Sequence, residues 1–360
     1  MSIMGKNIKA FQNILQIFAA CLLVLITCSP VLADRVSPAG DEEAVQRYRQ
    51  VNQTVLNEKD GEKLMVGSKL EITLPSNTGN EMDNETSDPL DTVSRFNIRA
   101  ADLYLQFEKV GKLSFGQGET AGQVLSRTDL SGTDLIGYFG SDDQASGIFF
   151  YDGGLNPLSD TVVGDLVDNP DSSGKERFRY DTPKFLGLGV ALSTFTEQNQ
   201  DLKNKPAYDA ALSYSGKAGE VAMAAAIGYA TRPLDSEDGN EKRVNGSASV
   251  AFSGFSITLA AVQERPNDGE HEFKKFYYGK VGYTMEFWQI GQTALAIDYG
   301  KYSEDAHEED NTKTMGIMFV QKIQDWSSEI YAGFRTQDLE HEGAAYDAIN
   351  SLAVGTRINF

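Results

Sequence analysis

The chain has 360 residues, with 52 acidic and 32 basic side chains and a formal net charge of −20. That excess of acid disfavours nucleic-acid binding and attachment to anionic membrane surfaces, because both need a basic face. The two cysteines of the sequence, Cys21 and Cys28, lie close to the N-terminus, so no disulfide framework is expected in the remaining residues. A fold built from those residues must therefore be held by its size or by a closed sheet.

Residues 1–33 have the pattern of a signal peptide. Lys6 and Lys9 precede a largely apolar run, Phe11–Thr27, and Ala33 supplies the small residue before a cleavage point at Asp34. Polar residues interrupt the run, which disfavours the alternative of an N-terminal membrane anchor. Cleavage removes two lysines and no acid, which changes the net charge from −20 to −22. The sequence therefore predicts an exported protein.

Two regions follow the signal peptide. Residues 34–60 are polar and compatible with a few helical turns, so we expect a periplasmic segment outside the main fold, with a disordered tail as the alternative. In residues 61–360 the pattern changes to a period of two, beginning with Leu64–Leu74, where apolar and polar side chains alternate. This second region predicts an all-β fold.

The next elements are a strand with a parity change and a long insertion. Apolar side chains change parity near Ala100, which predicts either one strand with a bulge there or two shorter elements. The segment Gly111–Gly118, GKLSFGQG, reads as another strand. Residues 118–174 then show little alternation and exceed the length of an ordinary connection, so we expect a functional loop inserted into the sheet.

Eleven further strands are predicted between this loop and the C-terminus. They are Glu176–Thr182, Leu186–Thr196, Ala207–Ser215, Val221–Thr231, Val244–Phe252, Phe255–Gln263, Phe276–Phe287, Thr293–Tyr302, Thr314–Gln321, Ser328–Gln337 and Ile349–Phe360. The connections between them alternate between short turns and longer, mostly acidic loops. That alternation is typical of a transmembrane antiparallel β-barrel with short periplasmic turns and long outer loops. The total is fourteen strands, or sixteen if the N-terminal part contains another hairpin.

The two faces of these strands differ in a way that a soluble barrel would not. One parity is apolar and large, as in Leu186, Leu188 and Val190, whereas the other is small or polar. The predicted inward set includes the charged residues Lys280, Glu286, Asp298, Arg335 and Arg357. Since charges are costly to bury in a dry core, we expect the large apolar side chains to face lipid and the charged set to face water.

The last strand ends on an aromatic residue. Ile358 and Phe360 continue the apolar parity up to the final position, and this ending resembles the assembly signal of bacterial outer-membrane β-barrels. The resemblance implies an interaction with the barrel-assembly machinery. An edge strand of a soluble β-sandwich is the alternative.

A candidate constriction combines the long loop with the strand that follows it. Arg177, Arg179 and Asp181 share the inward parity, and the loop carries many carboxylates, among them Asp129 and Asp134. If the loop folds into the lumen, its carboxylates would meet the arginines across the opening and create a transverse field. Ordinary salt bridges within the lumen are the alternative role for the two arginines.

The segments GKLSFGQG, DLSGTDLIGYFG and RFRYDTPKF occur in this order, and together they resemble the general diffusion porins of Gram-negative bacteria. The resemblance implies an outer-membrane homotrimer surrounded by lipid and lipopolysaccharide, without a cofactor, that passes small hydrophilic solutes and ions. Two departures stand out, because the N-terminal part is about two strands short and the acidic loop motif of enteric porins is absent. Those departures leave open the strand number and the carboxylates that line the constriction.

The sequence carries few features of other functions. The three histidines, His271, His307 and His341, fall in predicted outer loops, and no arrangement for nucleophilic catalysis or zinc binding is visible, so we expect no enzyme. A structural or adhesive barrel with a blocked lumen is the main alternative, and an outer-membrane hydrolase is a weaker one. The acidic loops are expected to be solvated, with bridging of Ca²⁺ to lipopolysaccharide as a second hypothesis.

Overall fold

A computed structural model describes residues 46–59, 62–74, 97–124, 128–137, 149–151, 158–162, 175–196, 205–233, 239–266, 274–304, 311–341 and 344–359. Within these ranges the side chains of residues 46–63, 71–74 and 97–99, among others, are not described. The described ranges contain no helix of the length and apolar character needed to cross a membrane.

The described residues form an all-β fold with a single short 3-10 turn at Gln324–Trp326. The strands are β1 Gln46–Lys59, β2 Glu62–Leu74, β3 Asn97–Phe107, β4 Gly111–Gly118, β5 Phe149–Tyr151, β6 Leu158–Val162, β7 Lys175–Asp181, β8 Leu188–Thr196, β9 Pro206–Ala218, β10 Val221–Pro233, β11 Asn240–Phe252, β12 Phe255–Pro266, β13 Lys274–Trp288, β14 Gly291–Glu304, β15 Asn311–Ile323, β16 Ser328–His341, β17 Ala344–Ala345 and β18 Ile349–Asn359.

Most of these strands form one antiparallel barrel. Consecutive strands pair from β1 to β4, then from β7 to β16, and β4 pairs directly with β7 across the long loop. The ring closes where β18 pairs antiparallel with β16 and in parallel with β1, over Arg47–Arg49 and Arg357–Asn359. Strands β5 and β6 form a separate hairpin within the loop. The parallel seam between β1 and β18 is short and covers three residue pairs.

Each of the fourteen predicted strands has a counterpart in the barrel. The bulge predicted near Ala100 is confirmed, because Glu71 pairs with Ala100 while Ile72 pairs with Ile98, so that Arg99 is skipped. Short turns and long connections alternate around the ring as predicted. Phe360, the predicted assembly signal, lies outside the described residues, and Ile358 is described only through its backbone pairing with Ser328 and Tyr48.

The segment before the first predicted strand differs from expectation. The sequence suggested helical turns or a tail there, but Gln46–Lys59 forms β1 and pairs along its length with β2. Its polar sequence lacks the apolar alternation that indicates a strand, and the neighbouring strand supplies the hydrogen-bonding partner instead. The N-terminal region thus holds one strand beyond the fourteen.

The distribution of side chains between the two faces confirms the prediction that large apolar side chains face outwards and small or polar ones face inwards. Large apolar side chains point outwards and are half exposed, such as Leu192 at 50%, Ile227 at 55% and Leu259 at 61%. The inward parity carries polar residues, such as Ser193 and Thr258. The barrel therefore has an apolar outer surface and a polar interior.

The expectation that the inward charges are hydrated was wrong for three of them. Lys280, Asp298 and Arg335 are each at most 4% exposed. They tolerate burial because other protein groups replace water as their partners.

Candidate functional site

The residues that follow β4 lie against the inner wall of the barrel. From Glu119 to Gly137 the described part of this loop contacts inward-facing side chains of successive strands, from β7 round to β16. We call residues 119–137 the wall loop. Its path follows the order of the strands, so it runs around the inside of the barrel.

The first anchor of the wall loop is formed by two arginines of β7. Arg177 donates from Nε to the carbonyl oxygen of Glu119 at 2.5 Å, and Arg179 donates from Nη1 to the carbonyl oxygen of Thr120 at 2.7 Å. Their remaining donors bind carboxylates of the barrel wall, Asp102 for Arg177 and Asp181 for Arg179. The planar guanidinium, with five donors, suits such a double role.

The first anchor continues on β8, β9 and β11. The buried carboxylate of Asp209 accepts a hydrogen bond from the backbone N–H of Gly122 at 2.7 Å and another from the hydroxyl of Ser193. Asn245 donates from Nδ2 to the carbonyl oxygen of Gly122 at 2.9 Å. The bonds from Asp209 and Asn245 engage the backbone of Gly122, so they fix the course of the loop without depending on its side chains.

The middle of the wall loop is attached to β11. The hydroxyls of Thr128 and Ser247 are in direct contact, and the backbone N–H of Leu130 donates to Oγ of Ser249 at 3.3 Å. Thr128, Ser247 and Ser249 are all buried. The loop therefore stays in contact with the wall between its two ends.

The second anchor centres on Lys280 of β13. Its Nζ lies 2.7 Å from Oδ2 of Asp129, and the side chains of both residues are fully buried. The same ammonium donates to Oγ1 of Thr133 at 3.2 Å and to the carbonyl oxygen of Gly137. Asp129 also accepts from Thr258 of β12 at 3.0 Å. This arrangement satisfies both buried charges, which a dry site requires.

Apolar packing completes the second anchor. Leu135 and Ile136 are buried against a cluster of side chains from β14, β15 and β16. The cluster comprises Ala294, Ala296, Met318, Val320 and Tyr331. The end of the wall loop is thus held by buried apolar contacts as well as by the ion pair.

Small inward residues make room for the loop. A Cβ at Gly282 would lie 2.7 Å from the Cβ of Ser131, and one at Gly228 would lie 2.9 Å from the carbonyl oxygen of Gly122. The sequence predicted that small inward residues leave space, and here the wall loop occupies part of that space.

The other predicted lumen residues lie in separate clusters. Asp298 accepts from Nη2 of Arg335 and from the hydroxyl of Tyr278, both at 2.7 Å, and forms a buried group beside the second anchor. Arg357 pairs with Glu329 at 2.6 Å and is partly exposed. Glu286 is exposed and lies within the register irregularity of β13 and β14. Across the described ranges, no three His, Cys, Asp or Glu side chains are grouped to hold a metal ion.

The described contacts of the two arginines correspond to the alternative that the sequence left open, salt bridges within the barrel. Pairing with other loop carboxylates, most of which lie outside the described residues, stays a prediction. Arg177 and Arg179 bind the loop, but through its carbonyl groups, and their carboxylate partners Asp102 and Asp181 belong to the barrel wall. Asp129 reaches the wall at Lys280 instead. The carbonyl contacts could not be predicted from the sequence, because an analysis of side-chain charge does not include backbone groups.

Asp134 is the predicted constriction residue that remains exposed. Although solvent reaches it, its carboxyl group lies inside the barrel among protein atoms. This burial, followed by repulsion from Asp129, raises the pKa of Asp134 above the ordinary aspartate value. Asp134 is therefore an accessible titratable group on the wall loop.

Sequence reasoning missed Asp102 and Asp209. Both are inward-facing acids of the barrel wall, at 7% and 6% exposure, that hold partners of the loop or the loop itself. Their parity within β3 and β9 was the available signal, because each lies among apolar neighbours that face outwards.

Comparison with known proteins bears on the identity of the chain. A sequence model of the family described as Gram-negative porin matches residues 19–341. A search of curated protein sequences gives no significant match.

Solved structures with a similar fold are outer-membrane proteins at low sequence identity. An anion-selective porin from Comamonas acidovorans is 12% identical, with a TM-score of 0.54 and coverage of 88% of this chain and 100% of that one. OmpF of Salmonella typhi, in complex with daunomycin, is 12% identical, with a TM-score of 0.53 and coverage of 88% and 93%. The trimer form of OmpT, an outer membrane protein of Vibrio cholerae, is 12% identical, with a TM-score of 0.52 and coverage of 87% and 90%. At such identity these structures support the barrel fold, and the family match over most of the sequence shows that the chain belongs to the Gram-negative porins, outer-membrane channels for passive diffusion.

Proposed function

We propose that the wall loop sets the narrowest part of this channel and that the channel passes small hydrophilic solutes and ions. The carrying observation is the attachment of the described residues of the wall loop, 119–124 and 128–137, to inward-facing side chains of the barrel. A loop held in this way reduces the open cross-section by a fixed amount, because it cannot swing across the opening. Polar inward side chains make the remaining passage suitable for hydrated solutes.

The charges of the described wall favour a weak preference for cations. Arg177 and Arg179 would favour anions if they were free, but each is paired with a carboxylate. Asp134 is an exposed carboxylate on the wall loop. The local field at the loop is then set more by Asp134 than by the arginines.

Assembly and location follow the family. We expect cleavage of the signal peptide after Ala33, long connections facing outwards, and a homotrimer surrounded by lipid and lipopolysaccharide. The trimer form of OmpT in a similar barrel supports the oligomer. Chemical crosslinking of the protein in outer-membrane fractions should give a trimer, and a monomer at every crosslinker concentration would contradict this.

Conductance in planar bilayers tests the proposal. The refolded chain should give discrete steps of current that rise linearly with voltage. A cysteine pair at Thr128 and Ser247, whose hydroxyls are in contact, should form a disulfide that leaves the conductance unchanged. Conductance that differs between the oxidised and reduced pair would show that the loop moves during conduction.

The alternative of a blocked structural barrel rests on the burial of inward charges such as Lys280 and Arg335. Electrical silence of correctly folded protein would favour that alternative. The lack of catalytic activity stays a prediction, and hydrolysis of lipid or peptide substrates by the purified protein would contradict it.

A further inference from the structure

We infer that a cavity between the wall loop and strands β7–β10 binds a monocarboxylate with a short hydrocarbon chain. This inference rests on the proposed function, since it names one class of solute that the channel would hold on its way through. The cavity has a volume of about 190 Å³ and is lined by the loop on one side and the barrel wall on the other. Its lining includes Val124, Thr182, Lys184, Ala211, Ser215 and Ala224.

The charged residues that line the cavity give it a net positive charge. Arg179 and Asp181 both line it, but they bind each other, with Nη2 and Oδ1 2.7 Å apart. Lys184 lies on the short connection between β7 and β8, is exposed, and donates from Nζ to Oγ of Ser215 at 2.8 Å. The charges of Arg179 and Asp181 cancel, so the ammonium of Lys184 leaves an excess of one positive charge.

Several hydrogen-bond donors that line the cavity are not used up by the bonds within the protein. An ammonium has three N–H groups, and one of those of Lys184 is used by Ser215. The Ser215 hydroxyl accepts that bond and keeps its own O–H for another acceptor, and Thr182 likewise accepts from the backbone N–H of Val190 at 3.0 Å. A carboxylate, with two acceptor oxygens, matches this set of donors.

The cavity is also lined by hydrocarbon. Val124 from the loop and Ala191, Ala211 and Ala224 from the wall contribute aliphatic side chains, with Ala191 paired across the strands with Asp181 and Ala224 with Ser215. An inorganic anion gains no binding energy from an apolar surface. For a ligand with a hydrocarbon chain, each methylene group that the surface removes from water contributes about 0.8 kcal/mol to binding. At about 30 Å³ for each water molecule in the liquid, the volume corresponds to roughly six heavy atoms, the size of butyrate.

Butyrate is therefore the probe for the experiment, with inorganic phosphate and acetate as comparisons. Titrated into the full chain in detergent, butyrate should give saturable binding by saturation-transfer NMR, and in bilayers it should produce a saturable reduction of single-channel current. Lys184→Gln should weaken both effects roughly tenfold, equivalent to about 1.4 kcal/mol. Ala224→Leu should weaken them by filling part of the cavity, without removing charge.

Lys217→Gln is the matched control, because Lys217 is an exposed lysine close to the neighbouring short turn, at Gly219 and Glu220, and does not line the cavity. It should leave butyrate binding unchanged. Equal binding of phosphate and butyrate, or equal effects of Lys184→Gln and Lys217→Gln, would overturn the inference. A conducting channel that does not bind butyrate would overturn the inference and leave the proposed function intact. Binding of butyrate detected by NMR in a channel that carries no current would instead support the inference and contradict the proposed function.

Discussion

The two anchors of the wall loop differ in the groups of the loop that they bind. At the first anchor, Arg177, Arg179 and Asp209 bind backbone carbonyl and N–H groups of residues 119–122. At the second anchor, Lys280 binds the side chain of Asp129, and apolar side chains of the loop pack on the wall. The first anchor thus depends on residues of the barrel, whereas the second depends equally on residues of the loop.

This difference predicts where the loop tolerates change. A backbone bond survives most substitutions of the loop residue that supplies it, because every residue has the same carbonyl group. A buried ion pair does not, because removing one partner leaves the other charge buried without compensation. Substitutions in the loop should therefore be milder near residue 120 than near residue 130.

The largest effect is expected for Lys280→Met. Breaking a buried pair from one side costs about 3–5 kcal/mol, so the end of the loop should detach. A cysteine at Ser131, which is fully buried, would report this when Cys21 and Cys28 are replaced by serine. Its reaction with a maleimide should accelerate roughly a hundredfold or more, and the channel current should become noisy.

A double variant separates the ion pair from general damage. Lys280→Met combined with Asp129→Leu removes both charges, and apolar replacements of a buried pair are often neutral or stabilising. Slow maleimide labelling should therefore return in the double variant. If it labels as fast as Lys280→Met alone, the Lys280–Asp129 pair is not what holds the loop.

The next effect is expected for Leu135→Ala. Leu135 is 6% exposed and belongs to the apolar cluster of the second anchor, and truncation of a buried leucine costs about 2–5 kcal/mol. Labelling at Ser131→Cys should accelerate, but less than in Lys280→Met, because the ion pair is kept. Val110→Ala, at an exposed apolar residue of a short turn, is the control and should not change labelling.

A much smaller effect is expected for Glu119→Ala at the first anchor. Arg177 and Arg179 bind the carbonyl oxygen of this residue, which the substitution retains, and its side chain is exposed. The change in stability should stay within about 0.5 kcal/mol, with unchanged single-channel conductance. A large loss of conductance would show that the Glu119 side chain matters and would remove the contrast between the anchors.

Alternation explains why the barrel could be predicted from sequence. A period of two assigns each side chain to a face regardless of its long-range partners, so the inward parity of Arg177, Lys280 and Asp298 followed directly. The strand β1 could not be predicted in this way, because its sequence is polar on both faces. Its identity depends on pairing with β2, which local sequence does not encode.

The partners of the inward charges could not be predicted from parity. Lys280 and Asp129 are 151 positions apart, and the path of a loop without alternation gives no register that would bring them together. The sequence also treated each charge as facing water, whereas the loop covers Lys280 and supplies its partners. Which charges are free and which are paired is decided by the course of the wall loop.

The effect of the wall loop on ion selectivity can be tested at Asp134. A substitution there is expected to have the smallest effect on the position of the loop itself. The carboxylate of Asp134 is exposed on the wall loop, so Asp134→Asn should leave conductance steps intact and reduce the preference for potassium over chloride in a salt gradient. Because burial and then Asp129 raise the pKa of Asp134, the carboxylate takes up a proton at a higher pH than an ordinary aspartate. The cation preference of the unmodified channel should therefore decline as the pH falls, beginning above the usual aspartate range. This part of the decline should be absent in Asp134→Asn.

Asp325→Asn is the control, because it removes the same charge from an exposed turn. It should preserve both the preference for cations and its pH dependence. An equal loss in the two variants would assign selectivity to the overall charge and not to the wall loop.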